Sequence, residues 1–600
     1  MPIRSAPLAL LLGLVALPAL TQSVPPSLGP QAAAPKAVST PPLRLAERMS
    51  PTAAASLRAA PEGAADQLEA LKQWNQAGKL PLRVGFSRPL AAPERVTLGG
   101  LAGRTLPMRW AGGFLGRSSA GNPVWSTSIT VAGAYRLRLH LAGVELPAGT
   151  RFWVWGRGGE PRAFGLDLRG PDGALWTPGV PGDTLYLELE APAAAIAAGS
   201  AARFAPDAVS QRFQLDAKGQ PIVATTAAAA LGGPTVAPRL GECLIDATCV
   251  KPATLGVIAD LRSAIALLDF IDAGTEFECS GGLLNDSASD GIPYLLTANH
   301  CFDNQAAASS LEAFWDFRSS VCNGPAPELS SVPETSGSTL LASDPTSDFT
   351  FLRLADLPPG RFFLGWNADP AAVHDGVRLF RVSQAFADKQ VYSTSLVRSS
   401  GVPICSGAPV GDFIYAQLTQ SATFAGSSGA PSILAGGYVV GQLLGGCGFN
   451  NPDDGCDYSN SEIDGAFSVT YPKIAQWLNP TPVPACVPGP TTLCLLGNRF
   501  AVQATFDTGS GLSGPAQVMG LTDGSGYLWF FNQANVEAAV KVLNGCALNS
   551  RYWIFVGGLT DVHVVFRVTD THSGLQRLYV NPQGTPFQPV QDVGAFATCP

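Results

Sequence analysis

The 600-residue chain is poor in charge and in histidine. Asp, Glu, Lys and Arg make up only 14% of it, against roughly 25% in an average soluble domain, and only five histidines are present. Lys and Arg form no clusters and the formal net charge is −8, so the composition argues against a nucleic-acid partner. The 65 glycines and 50 prolines favour short strands and turns over long charged helices, which predicts a mainly β protein.

Cysteine is absent before Cys243, and the twelve cysteines contain no C-x-x-C pair. The missing pair argues against a zinc ribbon, and we predict neither a metal site nor a cofactor. Beyond the N-terminus, no apolar stretch is long enough to span a bilayer. The N-terminus carries a positive charge at Arg4 and then an apolar run from Pro7 to Leu20, which predicts a secretory signal peptide. Secretion, to the periplasm or the medium, implies an oxidising compartment in which the cysteines pair.

Shifts in composition divide the chain into six predicted parts. In chain order these are a signal peptide (1–23), a flexible and partly helical pro-segment (24–81), a β-rich pro-domain that reads as a sandwich (82–200), a low-complexity linker (201–240), a disulfide-rich central domain (241–480) and a C-terminal β-sandwich stapled by disulfides (481–600). The helical part of the pro-segment is expected near Ala64–Trp74, where apolar residues recur at three-residue spacing.

One histidine stands at the end of a predicted core strand. The apolar run Ile292–Leu296 leads to His300, which is followed at once by Cys301. Further along the chain, Asp348 heads a second alternating strand, where a partly buried carboxylate needs a partner such as histidine. Asp344 is the nearby alternative. These positions predict a histidine base oriented by an acid.

Ser428 supplies the third group. It lies in a loop with Gly426 and Gly429, and these glycines let the backbone turn so that the N–H groups of Gly426 and Ser428 can point into one pocket. Hydrolysis by serine needs a nucleophile, a base, an orienting acid and donors for the oxyanion. We therefore predict His300 as base, Asp348 as orienting acid, Ser428 as nucleophile and an oxyanion hole at Gly426 and Ser428.

The local motifs resemble those of the trypsin-like serine proteases and, among these, the bacterial lysyl endopeptidases. The matching stretches are Thr297–Cys301, Ser347–Thr350, Gly426–Pro431, Cys243–Cys249, Phe314–Phe317 and Gly441–Leu443. Over about residues 240–480, the resemblance implies a chymotrypsin-like double β-barrel that acts as a serine endopeptidase on polypeptide substrates. We expect a monomer.

The resemblance also implies a specificity and a set of disulfides. Selection of Lys or Arg at P1 needs a buried acid, for which Glu462 falls at the matching place with Asp464 as the alternative; Leu444 stands where the family has a histidine. The family pattern gives the pairs Cys243–Cys447, Cys249–Cys322 and Cys279–Cys301, with Cys405 and Cys456 left for an extra bridge. In the C-terminal domain, Cys486–Cys494 and Cys546–Cys599 are expected.

The cysteine-free region before the linker resembles the pro-domain of a secreted protease. It predicts a zymogen with a processing site at Arg239, in which the pro-domain acts as intramolecular inhibitor and chaperone; a permanent N-terminal domain is the alternative. Two other functions stay open. One is a catalytically silent binding or adhesion protein on a protease scaffold. The other is an esterase, because Ala425–Gly429 nearly matches the nucleophile elbow of α/β-hydrolases, although that fold places its histidine after the serine.

Overall fold

A computed structural model gives the fold. It describes residues 23–29, 41–49, 57–99, 105–200, 202–222, 243–398, 405, 407–447, 456–479, 485–549, 551–572, 576–596 and 598–599. Residues 1–22 of the predicted signal peptide and the predicted processing site Arg239 lie outside these ranges. The described chain is mainly β, as predicted, and its helices are α1 Leu45–Met49, α2 Ala64–Gln76, α3 Ala193–Ala197, α4 Ile258–Ala264, α5 Gln305–Ser310, α6 Phe467–Leu478 and α7 Cys546–Asn549.

The N-terminal region forms two packed antiparallel sheets. Its strands are β1 Ser23–Val24, β2 Ser27–Leu28, β3 Leu82–Pro89, β4 Val96–Thr97, β5 Met108–Trp110, β6 Gly113–Arg117, β7 Pro123–Thr130, β8 Arg136–Glu145, β9 Arg151–Gly156, β10 Arg162–Phe164, β11 Leu175–Trp176, β12 Val180–Pro181, β13 Thr184–Glu190, β14 Arg203–Arg212, β15 Gln214–Leu215 and β16 Pro221–Ile222. One sheet has the order β10-β9-β13-β7-β6-β5, and the other is built on β8, β14 and β3. Their facing side chains, Trp125 and Phe204 among them, share one core.

Two features of this region differ from the prediction. Strand β14 lies within residues 201–240, so the predicted linker starts before this part of the sheet ends. The sequence of β14 lacks a clear apolar alternation, yet β14 is a central strand because β8 and β3 pair with its two edges. The predicted flexible pro-segment also contains β2 and Val24 of β1, and Ser23 of β1 is the last residue of the predicted signal peptide; both strands pair with strands of the central domain.

The central domain consists of two β-barrels. Its strands are β17 Ile245–Asp246, β18 Ile265–Asp272, β19 Thr275–Leu284, β20 Tyr294–Ala298, β21 Glu312–Trp315, β22 Glu334–Ser336, β23 Ser338–Asp344, β24 Phe349–Leu354, β25 Phe362–Phe363, β26 Gly365–Asn367, β27 Arg378–Gln384, β28 Gln390–Val397, β29 Phe413–Gln420, β30 Pro431–Ile433, β31 Tyr438–Cys447 and β32 Ser461–Ala466. The first barrel has the order β23-β24-β20-β19-β18-β21-β22.

The second barrel closes on itself with six strands. Each of β27, β28, β29, β32, β31 and β30 pairs with the next, and β30 pairs back with β27. A layer of buried side chains that includes Trp366, Phe351 and Ile433 lies between the barrels, where helix α6 also packs. This architecture confirms the predicted chymotrypsin-like fold. It also contradicts the esterase alternative, because an α/β-hydrolase is built on a parallel sheet whereas these barrels are antiparallel.

The C-terminal region is a second sandwich of two five-stranded sheets. Its strands are β33 Leu493–Leu495, β34 Phe500–Asp507, β35 Ser513–Pro515, β36 Gln517–Thr522, β37 Ser525–Trp529, β38 Ala538–Asn544, β39 Tyr552–Gly558, β40 His563–Asp570, β41 Gln576–Asn581 and β42 Val590–Phe596. Strand β34 shows the expected alternation, with Phe500, Val502, Ala504 and Phe506 buried and their neighbours facing out.

Six disulfides are present. Four of the six expected pairs are confirmed, namely Cys249–Cys322, Cys279–Cys301, Cys486–Cys494 and Cys546–Cys599, and the extra bridge between Cys405 and Cys456 is not formed. The expected pair Cys243–Cys447 is wrong, because Cys447 pairs with Cys405 and Cys243 pairs with Cys456. Cys447 ends β31 inside a small core with Tyr415, whose hydroxyl accepts a hydrogen bond from Cys405 N at 3.0 Å. This contact brings Cys405 to Cys447 and leaves Cys456 for Cys243.

Candidate active site

His300 and Asp348 meet at the junction of the two barrels. His300 follows β20, and Asp348 immediately precedes β24, the strand paired with β20. His300 Nδ1 lies 2.8 Å from Asp348 Oδ2, and His300 N donates to Asp348 Oδ1 at 2.8 Å. Both carboxylate oxygens thus hold one residue, which favours the imidazole tautomer with the proton on Nδ1 and an accepting Nε2.

The backbone of Asp348 is unusual. Its φ of 51° lies in the left-handed region, which aspartate tolerates better than most residues do. Asp348 O accepts from Asn299 N at 3.0 Å, and Gln442 Nε2 donates to Ser347 O at 2.6 Å. The strained turn is therefore held from both barrels. The alternative acid, Asp344, is occupied elsewhere by Lys473 Nζ at 2.6 Å.

The Ser428 loop packs against the strand that leads to His300. A Cβ on Gly429, whose φ is +79°, would lie 2.2 Å from Thr297 Oγ1 and 2.7 Å from Ala298 N. Only glycine fits this approach, and it brings the loop close to the end of β20. Ser280 N donates to Ser428 O at 2.8 Å, which fixes the loop to β19 as well. Ser428 itself is buried.

The backbone N–H groups of the Ser428 loop differ in their hydrogen bonding. In the described part of the chain, the N–H groups of Gly426 and Ser428 donate to no protein acceptor, whereas those of Ser427 and Gly429 bond to Phe424 O and Leu443 O. Gly426 has a φ of +95°, and a Cβ there would lie 2.7 Å from Gln384 O.

Three supporting residues escape sequence reasoning. Ser280 Oγ lies 2.9 Å from both Gly426 O and Gln384 Oε1, and it accepts from Gln384 N at 3.0 Å. Ser383 Oγ lies 2.9 Å from Ser427 Oγ, the residue next to the predicted nucleophile. Ser280 follows the bridging Cys279, which is the one sequence signal that could have drawn attention to it. Ser383 and Gln384 carry none, because their role depends on β27 passing behind the loop.

A buried ion cluster fills the second barrel below the loop. Arg381 contacts Asp464 with Nη2 at 2.7 and 2.9 Å and Glu462 Oε2 at 3.4 Å, while its Nη1 donates to Ala430 O at 2.5 Å. Burial raises the pKa of Asp464 to about 6, with Arg381 opposing the shift. Glu462 Oε1 is buried and has no hydrogen-bond partner among the described residues. Asp464 is thus already paired with a cation, and Glu462 keeps one unused oxygen.

The antiparallel double barrel, with His300 bonded to Asp348 at the junction, defines a protease domain of the chymotrypsin-like fold. Residues 239–459 match the family model "Lysyl endopeptidase, C-terminal domain". The chain is also 26% identical over 416 residues to a lysyl endopeptidase of Pseudomonas aeruginosa strain PAO1, an alignment that covers 67% of this chain and 82% of that protein. These matches confirm the predicted resemblance to lysyl endopeptidases, and the chain is a serine endopeptidase related to them.

Solved structures give a weaker match. The Rv3671c protease from M. tuberculosis in its active form aligns at a TM-score of 0.27 and 16% identity, over 38% of this chain and 88% of that chain. The MamO protease domain from Magnetospirillum magneticum aligns at a TM-score of 0.24 and 14% identity, over 36% of this chain and 96% of that chain. Separately, among the helices in the described ranges, none is both long and apolar enough to cross a membrane.

Proposed function

We propose that the protein is a secreted serine endopeptidase in which His300, Asp348 and Ser428 carry the reaction. The observation that carries this proposal is the double hydrogen bond from His300 to Asp348. It orients the imidazole and leaves Nε2, which has no hydrogen-bond partner among the described residues, to take a proton. The disulfides support secretion, because they form and persist in oxidising compartments.

The reaction follows from this arrangement. Ser428 Oγ attacks the peptide carbonyl while its proton passes to His300 Nε2, and the oxyanion is met by the N–H groups of Gly426 and Ser428. Asp348 stabilises the imidazolium that forms. His300 then protonates the departing amine, which leaves an acyl-enzyme on Ser428. Water, deprotonated by the same histidine, releases the product acid and restores the serine.

The test compares two adjacent serines. Ser428→Ala is expected to lower casein hydrolysis by at least about 10⁴-fold, since triad members act as a unit. Ser427→Ala, the matched control, loses the contact to Ser383 Oγ and a long one from Phe424 N but keeps the nucleophile, so it should retain most of the activity. Circular dichroism establishes that both variants fold. Undiminished hydrolysis by Ser428→Ala would refute the assignment, and a wild-type chain that fluorophosphonate fails to label after processing would favour the silent-scaffold alternative.

The N-terminal region would keep the uncleaved chain latent. Leu80 Cδ1 lies 3.3 Å from the position of a Cβ on Gly445, which belongs to β31, and Leu82 Cδ2 lies 3.4 Å from that of Gly426. Leu82 is fully buried in a cluster that also contacts Ala425. Residues 80–82 therefore run from β31 to the loop that holds the oxyanion donors. A peptide substrate needs the same space, which supports the zymogen and the inhibitory role of the pro-domain.

Latency is tested by labelling uncleaved chain. In an Arg239→Gln background, confirmed intact on a gel, Leu82→Ala opens space at Gly426 and should increase fluorophosphonate labelling severalfold. Leu71→Ala is the control, because Leu71 belongs to the same apolar cluster but sits on α2. Equal labelling of the two variants would show that a general destabilisation of the apolar cluster, and not the removal of the Leu82 side chain from Gly426, lets the probe reach Ser428.

A preference for Lys or Arg at P1 rests on Glu462. Its Oε1 atom is the unused acceptor of the buried cluster, and a buried carboxylate without a full set of partners favours a cation. Glu462→Gln should lower kcat/KM for a Lys substrate relative to the Leu analogue by at least about tenfold, the effect of about 1.4 kcal/mol. Asp464→Asn serves as comparison. If the preference for Lys at P1 changed in Asp464→Asn but not in Glu462→Gln, Asp464 would be the acid that selects the P1 residue.

A further inference from the structure

A basic cleft lies on the protease domain, away from the candidate active site. Its volume is about 740 Å³, and none of the three proposed catalytic residues is part of its lining. The charged residues that line it are Lys251, Arg262, Arg318 and Asp316. Three cations against one acid run counter to the chain as a whole, whose formal net charge is −8. The cleft therefore concentrates positive charge on a protein that has little of it.

Folding brings these three cations together from separate segments. Lys251 lies in the loop before α4, Arg262 belongs to α4 itself, and Arg318 follows β21. The segment before α4 and the segment after β21 are joined by the disulfide Cys249–Cys322. A covalent bridge thus frames the cleft and holds two of its walls at a fixed separation.

The acid of the cleft, Asp316, serves two arginines. Asp316 Oδ2 lies 2.7 Å from Arg361 Nη1, and Asp316 Oδ1 lies 3.3 Å from Arg318 Nη2. Arg361 is also the more buried of the two, with its side chain 11% exposed against 33% for Arg318. Since the shorter contact and the drier surroundings belong to Arg361, Arg318 is only partly neutralised.

Arg262 forms no ion pair with a carboxylate among the described residues. Its Nη1 donates to Ala247 O at 3.0 Å, and its Nε is buried without a hydrogen-bond partner in that part of the chain. Burial lowers the pKa of Arg262, and the charge of Arg318 lowers it further. Asp246 acts in the opposite direction, but it is paired with Lys389 Nζ at 3.2 Å. Two guanidinium groups that repel each other across a cleft are stabilised by an anion that contacts both.

The chemistry of the lining fits an oxyanion. A guanidinium group presents its N–H donors in a planar fork that matches the oxygens of phosphate and sulfate. The exposed Lys251 adds a further cation, and the exposed Ser320 adds a hydroxyl group. Pro252, Pro325 and Pro327 form apolar walls, which carry no acid that would compete for the cations.

We propose that the basic cleft binds a divalent oxyanion, a phosphate or sulfate group, between the guanidinium groups of Arg262 and Arg318. The bound group would link α4 to the segment after β21, so its binding should raise the melting temperature of the protease domain. A free ion and a sulfate group carried on a polysaccharide share this chemistry. The proposal does not rest on the catalytic assignment, because the site lies outside the active site and its test measures no hydrolysis.

The test is a titration of the full chain with sulfate. The chain carries Ser428→Ala to exclude self-cleavage and is confirmed intact on a gel. Isothermal titration calorimetry at pH 7 should show one saturable site for sodium sulfate, and sulfate should raise the melting temperature more than sodium chloride does at equal ionic strength. The absence of saturable binding, or an equal effect of chloride, would overturn the proposal.

A variant pair identifies the contacts responsible. Arg262→Gln with Arg318→Gln should raise the dissociation constant for sulfate by at least about tenfold, since charge-assisted hydrogen bonds from both sides are lost. The control is Arg378→Gln, which makes the same change in charge at an exposed arginine of β27 outside the cleft, and it should leave the affinity unchanged. If the double variant does not fold, Arg318→Gln alone keeps the hydrogen bond from Arg262 to Ala247 and takes its place. Unchanged affinity in the folded variant would contradict the proposal.

A sulfated tetrasaccharide identifies the source of the oxyanion. If the natural occupant is carried on a polysaccharide, the tetrasaccharide should bind at least about tenfold more tightly than inorganic sulfate and lose this advantage in the double variant. Affinities within about twofold of each other, both weakened in the double variant, would support the site and assign it to the free ion. If the double variant bound both probes as tightly as the unsubstituted cleft does, the oxyanion would bind elsewhere and the proposal would fail.

Discussion

The two sandwiches that flank the protease domain are attached in opposite ways. The N-terminal one shares a sheet with the first barrel through β3 and buries its arginines against acids of that barrel. For the described residues of the C-terminal one, the strand pairs, the apolar core, the disulfides and the ion pair Arg499–Asp570 are all internal. The cysteine-free unit is thus integrated with the protease, while the disulfide-stapled unit is self-contained.

The two sandwiches illustrate two ways to stabilise a secreted domain. The C-terminal sandwich is small, and its bridges limit the entropy of its own unfolded chain. The N-terminal sandwich gains stability from a neighbour and gives stability in return, which suits a unit that assists the folding of the protease. It follows that removing either sandwich should have very different consequences.

Deleting the sandwiches one at a time should give the largest contrast. Secreted chain that lacks residues 24–240 is expected to yield at least about 100-fold less casein hydrolysis per mole, because the loss of several buried counter-ions is comparable to a domain's whole stability. Chain that ends at residue 484 should keep its activity within about twofold. Supplying residues 24–240 as a separate polypeptide during refolding should restore the first variant. An equal loss of casein hydrolysis in the two deletion variants would show that the two sandwiches do not differ in their importance to the protease domain.

Two arginines offer a comparison within the intact chain. Arg212→Met leaves Asp269 and Glu278 without their partner and should destabilise the joined N-terminal and protease unit by about 3–5 kcal/mol. Arg499→Met should lower only the unfolding transition of the C-terminal sandwich, because Arg499 pairs with Asp570 there. Differential scanning calorimetry in the Ser428→Ala background measures the two unfolding transitions separately. A shared transition that moves equally in both variants would show that the sandwiches are not independent.

The smallest expected effect is a pH dependence confined to the joined unit. Burial raises the pKa of Glu278 to about 7 and that of Glu334 to about 7. Groups whose pKa is raised on folding bind protons more tightly in the folded state, so their contribution to stability is lost as the pH rises through 7. Between pH 6 and 8.5 the loss should be about 1 kcal/mol for each group.

Calorimetry at the two pH values measures this change. The melting temperature of the joined unit should fall from pH 6 to pH 8.5, and that of the C-terminal sandwich should stay nearly constant. Glu278→Gln with Glu334→Gln should remove only about half of the slope, because Asp286, whose pKa burial raises to about 8, loses a contribution of similar size over the same pH range. If the melting temperature of the C-terminal sandwich fell more steeply with pH than that of the joined unit, the pH dependence could not be assigned to Glu278 and Glu334.

Local patterns mark candidate active-site residues, but they do not mark the domain interface. His300, Asp348 and Ser428 each stand at a strand end or in a glycine-flanked loop, so short motifs mark them. Arg212 and Arg381 sit inside strands, where a charged residue normally faces solvent. Their acids come from other strands far along the chain, and only the three-dimensional pairing shows that these charges are buried.

Two errors have the same origin. Low-complexity composition predicts a linker from residue 201, yet β14 is paired on both edges and belongs to the sheet. Cys243 was matched to Cys447 by family pattern, whereas the position of Cys405 beside Tyr415 decides the pairing. Connectivity among several cysteines is set by which of them the fold brings together, and sequence alone leaves it open.

The most direct test of the account is to locate the nucleophile chemically. Processed protein is treated with a fluorophosphonate probe, digested and mapped by mass spectrometry across residues 421–435, which contain Ser427 and Ser428 side by side. The account predicts a stoichiometric adduct on Ser428, its absence from Ser427, and loss of labelling in His300→Ala. An adduct on Ser427, or labelling of Ser428 that persists without His300, would contradict it.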